Sequence, residues 1–157
     1  MGRVEDLTPL LVALSDPVSG IRQTAAIALG MLGDPRAATT LATALSDPDP
    51  AVRASVAEAL GSTGRPESRL ALEPSLSDID AHVRAKAADA LAAFADPASV
   101  AGLAALVHDQ VVEVRSAVAR ALGRIGTPAA GLALEEILTD PSDRVRREAV
   151  LGLARGG

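Results

Sequence analysis

Apolar residues fall four apart over residues 51–63. Val52, Val56 and Leu60 share one side of a 3.6-residue helix with Ala57 beside them, and Ser55, Glu58 and Ser62 take the other side. A shorter stripe, Leu41 and Leu45, precedes it and is echoed at Leu72 and Leu76, Leu103 and Val107, and Leu134 and Leu138. Polar punctuation separates the two. Asp34-Pro35 opens a helix, because Asp accepts the free N–H groups and Pro is tolerated at the first helical position. Ser46-Asp47-Pro48 ends that helix near Leu45, Asp49-Pro50 starts the second, and Gly64 supplies a left-handed stop. Arg65 and Val111 make poor caps, so their helix starts are expected to fray more. Pro74 falls inside a predicted first helix, where it costs about 3 kcal/mol unless the helix kinks or shortens.

The hairpin recurs every 31 residues. Arg22, Arg53, Arg84, Arg115 and Arg146 hold that spacing, as do Asp16, Asp47, Asp78, Asp109 and Asp140, and Leu29, Leu60, Leu91, Leu122 and Leu153. Pro35, Pro66, Pro97 and Pro128 mark one boundary, and Gly33, Gly64, Gly126 and Gly157 the other, with Ala95 as the exception. Residues 1–157 thus read as a single domain of five units, about 3–33, 34–64, 65–95, 96–126 and 127–157. One hairpin of this size cannot bury both stripes, and stacking parallel hairpins joins them into one core.

Ala, Leu and Val dominate the 48% apolar fraction, and Phe94 is the single aromatic residue, which favours helix over strand. No run approaches the ~18 apolar residues of a membrane span, and the charged N-terminus does not read as a signal peptide, so a soluble, cytoplasmic protein is expected. The formal charge of −5 and the absence of aromatic interleaving disfavour a nucleic-acid surface.

The segment 45–53, LSDPDPAVR, followed by Ala57, Ala59, Leu60 and Gly61, resembles the short HEAT-like repeat first recognised in phycobilin lyases. Val83-Arg84, Val114-Arg115 and Val145-Arg146 repeat the motif, and Ile21-Arg22 is a close variant. The resemblance covers essentially the whole chain. It implies an all-α fold, a right-handed α-solenoid of five 31-residue helical-hairpin (HEAT-like) repeats, with the second helices lining a concave binding surface. It says little about function, because such repeats serve scaffolds, lyase subunits, nucleic-acid enzymes and metal-dependent hydroxylases.

The Asp and Arg ladders read as an ion-pair framework between helices and repeats, since a residue present in every copy is most simply required by the repeat. Partner-binding candidates are sought where the copies differ. The exposed face of the second helices is expected one, two, five and nine residues after the ladder arginine. It is apolar at Ile27 and Met31, acidic at Glu58 and Asp89, and basic at Arg120, Arg124, Arg147 and Arg155. Exposed apolar side chains beside separated charges suit a protein partner.

Catalytic, cofactor and metal residues are not indicated. The chain has no Cys or Tyr and no Ser-His-Asp grouping, the glycines read as helix stops, and Glu135 and Glu136 diverge on a helix. His82 and His108 read as surface residues. Arg3, Glu5 and Asp6 are expected to cap the first unit polar. Leu134 and Ile137 are expected to stay open at the other end, leaving room for an end-to-end homodimer through the C-terminal repeat or for a docked partner. The function expected is a non-catalytic protein–protein interaction scaffold or adaptor. The alternatives are an accessory subunit of a phycobilin-lyase-like or other modifying complex, an engineered repeat binder, and a nucleic-acid-associated protein. Drift between the copies argues against a pure consensus design.

Overall fold

A computed structural model describes residues 6–156. Arg3 and Glu5 of the expected N-terminal cap, and Gly157, lie outside the described residues. The described chain forms ten α-helices and no strand: α1 Thr8–Ala13, α2 Ser19–Leu32, α3 Ala38–Ala44, α4 Pro50–Ser62, α5 Pro66–Leu72, α6 Ala81–Ala92, α7 Val100–Ala104, α8 Val112–Ile125, α9 Pro128–Ile137 and α10 Asp143–Gly156. They alternate as short first and long second helices of five successive hairpins. None is long and apolar enough to cross a membrane.

Local chemistry sets the ends. Asp49 accepts from the Ala51 N–H and Asp80 from the His82 and Val83 N–H groups, while Arg65 and Val111 make no side-chain cap, as expected. Asp34 and Asp96 cap 3-10 turns, Pro35–Ala37 and Pro97–Ser99, that lead into α3 and α7. Pro74 shortens its helix: α5 stops at Leu72 and continues as a 3-10 segment, Glu73–Ser77, with Pro74 in its first turn. Gly33 and Gly126 end α2 and α8 in the left-handed region, at φ 59° and 64°. Ala95 takes the equivalent place after α6 at φ 48°, a conformation that strains an L-residue with a Cβ.

The helices lie in two layers. Each second helix packs along the next, α2 on α4, α4 on α6, α6 on α8 and α8 on α10. Ala26, Ala57, Ala88 and Ala119, and likewise Ala59, Ala90 and Ala121, are buried, and Ala59 and Ala90 lie against Gly30 and Gly61 of the preceding helix. Such small side chains let the axes approach closely. The first helices meet more sparsely, through Leu41, Leu72, Leu103 and Leu134, which fill the space between the layers together with Leu29, Leu60, Leu91 and Leu122. An array drawn tighter on one side bends toward that side, and the tighter side here is the second-helix layer. Leu138, expected in the apolar stripe, is exposed at the end of α9. Leu134 and Ile137, expected to remain open, are 1% and 2% exposed, because α8 and α10 already cover them.

The Asp and Arg ladders join one repeat to the next. Arg22 donates through Nε and Nη2 to both carboxylate oxygens of Asp47, at 2.6 and 2.8 Å. The same fork links Arg53 to Asp78, Arg84 to Asp109 and Arg115 to Asp140, always 25 residues on. The remaining arm, Nη1, reaches back to the carbonyl of the aspartate six residues earlier, at 2.6–2.9 Å from Arg22 through Arg146. Each aspartate also accepts from the backbone N–H two residues on, which shapes the turn between first and second helix. Every arginine therefore fastens its own turn to the following one. The Asp16 carboxylate keeps only its turn bond and the Arg146 guanidinium only its carbonyl bonds among the described residues.

Hydrogen bonds from Arg22, Arg53 and Arg115 hold the carboxyls of Asp47, Asp78 and Asp140 below their ordinary range. At Asp109 burial is the largest influence and pushes upward, but the Arg84 and Val111 donors together outweigh it and the carboxyl is again lowered. A carboxyl with a folded pKa below its unfolded one stabilises the fold fully above the unfolded value, and that contribution is lost as pH falls through the folded value. Melting temperatures followed by circular dichroism are therefore expected to be insensitive to these groups near neutrality and to drop steeply below about pH 4. An acid limb that begins only near pH 2 would contradict this.

Candidate functional site: the open face of the second helices

Counting from the ladder arginine sorts each second helix into faces about 100° apart per residue. Residues three and seven on face the first-helix layer: Val56, Ala87 and Val118, and Leu60, Leu91 and Leu122, are buried there. Eight on, Gly30, Gly61 and Gly123 meet Ala59, Ala90 and Gly152 of the following second helix. Residues five and nine on stay open in every repeat, apart from Arg120, which is partly covered.

Seven of the eight predicted residues lie in these two open rows. Five on stand Ile27, Glu58, Asp89 and Arg120; nine on stand Met31, Arg124 and Arg155. Met31 is 85% and Ile27 47% exposed. They border a shallow depression of about 480 Å³ between α2 and α4, with Glu58 and Ser62 on its far side.

Arg147 does not belong to this surface. It sits one residue after the ladder arginine, where Ala54, Ala85 and Ser116 are buried against the next second helix. On α10 it instead pairs with Asp143 one turn earlier, at 2.5 Å.

The charges in the five-on row also differ from a strip of separate acidic and basic patches. Glu58 pairs with Lys86 at 2.7 Å, Asp89 with Arg120 at 2.9 Å, and Arg120 reaches Glu148 at 3.6 Å. These bridges run from one repeat to the next and neutralise the middle of the face. The sequence showed the charges but not the offset between helices that couples them.

Interhelical glycines are the other feature missed, having been read as helix stops. Gly30, Gly61, Gly123 and Gly152 lie inside helices. A Cβ on Gly30 would stand 3.0 Å from the Ala59 Cα, and one on Gly123 only 2.5 Å from the Gly152 Cα. The recurrence of Gly30, Gly61 and Gly123 in one register was the available signal.

Among the described residues no three His, Asp or Glu side chains converge as metal ligands. His108 faces Glu136 at 3.6 Å on the exposed rim.

A family model for HEAT repeats matches residues 7–81 and 70–154. The chain belongs to the HEAT-repeat family. This HEAT-repeat protein is similar in structure to a chain of the CpcE–CpcF complex of phycocyanin lyase from Nostoc sp. PCC7120, with 26% identity and a TM-score of 0.87. That match covers 98% of this chain and 66% of the other. An engineered protein matches with 24% identity and a TM-score of 0.72, over 98% of this chain and 80% of its own. A designed armadillo repeat protein in complex with the peptide (KR)4 matches with 18% identity and a TM-score of 0.74, over 96% and 82%. A comparison of the sequence with curated proteins finds no match.

Proposed function

We propose that this HEAT-repeat protein is a non-catalytic scaffold that binds a protein partner on its concave face. The observation that carries this reading is the pair Ile27 and Met31, 47% and 85% exposed and one turn apart on α2, where they border the depression between α2 and α4. Apolar area kept exposed beside a polar rim is the usual mark of an association surface. The rest of the face lacks a grouping that would perform chemistry. The charged residues of its five-on row are tied to one another, and most described titratable groups with shifted pKa values lie in the ladders and helix caps.

An accessory subunit of a modifying complex is the second reading. The likeness to the phycocyanin lyase complex favours it, since that protein is itself seen as a complex of two chains. Both readings place the partner on the same surface.

Affinity capture from the source organism tests this. Ile27→Asp/Met31→Asp is expected to lose the principal captured protein while keeping the helical spectrum of the wild type. Leu132→Asp, an equally exposed change on the first-helix layer, is expected to retain it. Equal recovery by all three proteins would remove the apolar end of the concave face from the proposal.

A further inference from the structure

Most guanidiniums of the described chain are matched to a carboxylate: four through the ladder, Arg36 with Asp34, Arg69 with Glu73 and Asp96, Arg120 with Asp89, and Arg147 with Asp143. Arg65, Arg124, Arg144, Arg146 and Arg155 are not, and of these Arg124 and Arg155 stand together in the nine-on row. They line one open depression of about 580 Å³, whose other walls are Gly123, Ile125, Gly126 and Gly156 and include no acidic residue. Each arginine lies in the last turn of its helix, where a cation is favoured by the macrodipole. That accounts for each arginine singly, but not for two of them sharing a depression whose described lining holds no acidic side chain.

The nine-on row as a whole has a direction. It begins apolar at Met31, passes the small Ser62 and Ala93, and ends basic at Arg124 and Arg155. The adjacent row is neutralised by its own bridges, so the positive potential of the concave face gathers at this end although the chain carries −5 overall.

We propose, building on the concave-face reading above, that this row binds an extended acidic peptide segment of the partner. One bulky apolar side chain rests on Met31 and Ile27, the backbone crosses Ser62 and Ala93, and carboxylates meet Arg124 and Arg155. Helix spacings of about 8–10 Å put about 25–30 Å between Met31 and Arg124. That is about eight or nine residues of extended chain. Guanidinium forks match carboxylates two bonds at a time. Bases would need stacking partners, and the one aromatic residue, Phe94, is partly buried outside the row.

Fluorescence anisotropy on the whole protein tests the assignment. The probe is a labelled peptide of about twelve residues with leucine near one end, a Gly/Ser spacer and a run of glutamates at the other. Saturable binding is expected, weaker by roughly tenfold or more when the glutamates become glutamines, in the variant Arg124→Glu/Arg155→Glu, and in high salt. Arg124→Gln/Arg155→Gln, which removes the charge without reversing it at the helix ends, must show the same direction. Arg65→Glu/Arg144→Glu changes two exposed arginines outside the row and is expected to bind within about twofold of wild type.

Absence of saturable binding, unchanged affinity in the Arg124/Arg155 variants, or an equal loss in the Arg65/Arg144 control would overturn the proposal. So would tighter binding of a single-stranded oligonucleotide of the same charge. If the peptide fails while Ile27→Asp/Met31→Asp still loses the captured partner, the concave-face reading survives and only the acidic assignment falls.

Discussion

Arg115→Ala is expected to lower the unfolding free energy by about 3–4 kcal/mol, because removing one member of an enclosed ion pair strands the other. This rung is the most enclosed of the four, with 10% and 5% of the Arg115 and Asp140 side chains exposed. The Asp140 carboxylate would keep only the Ser142 N–H, and the Asp109 carbonyl would lose its donor. Arg146→Ala removes the same residue in the same register, but Arg146 donates only to the carbonyls of Asp140 and Pro141, so about 1 kcal/mol is expected. Urea unfolding followed by circular dichroism compares the two. The gap between Arg115→Ala and wild type should also narrow below about pH 4, since a neutral Asp140 no longer needs its guanidinium. Equal losses for the two variants would show that the carboxylate fork contributes no more than the carbonyl bonds.

Gly123→Ala is expected to destabilise by about 1–3 kcal/mol despite the better helix propensity of alanine. The added methyl would lie 2.5 Å from the Gly152 Cα, and the obstacle is backbone, which cannot swing aside as a side-chain end can. Either α10 shifts away from α8, opening the last repeat, or α8 bends. Gly131→Ala in the middle of α9 is the control. Nothing lies within 4 Å of its added methyl, so it is expected to stabilise by about 0.5–1 kcal/mol. One substitution with opposite signs at two helical sites separates spacing from propensity in a thermal melt. A stabilising Gly123→Ala would mean that glycine does not set the distance between α8 and α10.

Much of the fold was legible because the same solution is written repeatedly. The Asp-Pro starts, the glycine stops and the Val-Arg and Ala-Leu registers each recur, so a weak local signal is reinforced by its copies. The shortened first helix at Pro74 could be read from the missing N–H alone. What one helix cannot display is its neighbour. The ladder was visible as Asp and Arg at one period, but that Arg115 forks onto the carboxylate of Asp140 and takes only the carbonyl of Asp109 depends on how far one hairpin advances over the last. The misplacement of Arg147 has the same origin. One residue after the ladder arginine, a helical wheel shows Ala and Ser, which suit a solvent face and a close helix contact equally well. Only the packing of α4 on α6 and α6 on α8 shows which it is. The interhelical glycines and the Asp89–Arg120 bridge were hidden for this reason too.

The ladder also governs how the protein can change length. Each rung connects residues 25 apart within a 31-residue period, and each arginine makes the same bonds as its counterparts. Deleting residues 54–84 would set Arg53 where Arg84 stood, facing Asp109, with a valine before it and an alanine after it as before. The shortened chain would contain no orphaned carboxylate at the join. A deletion that is not a whole number of 31-residue units would leave a buried aspartate opposite the wrong side chain. A gene for this protein can therefore lose or duplicate whole units without new compensating substitutions at the seam, and the concave face can be lengthened or shortened one helix at a time.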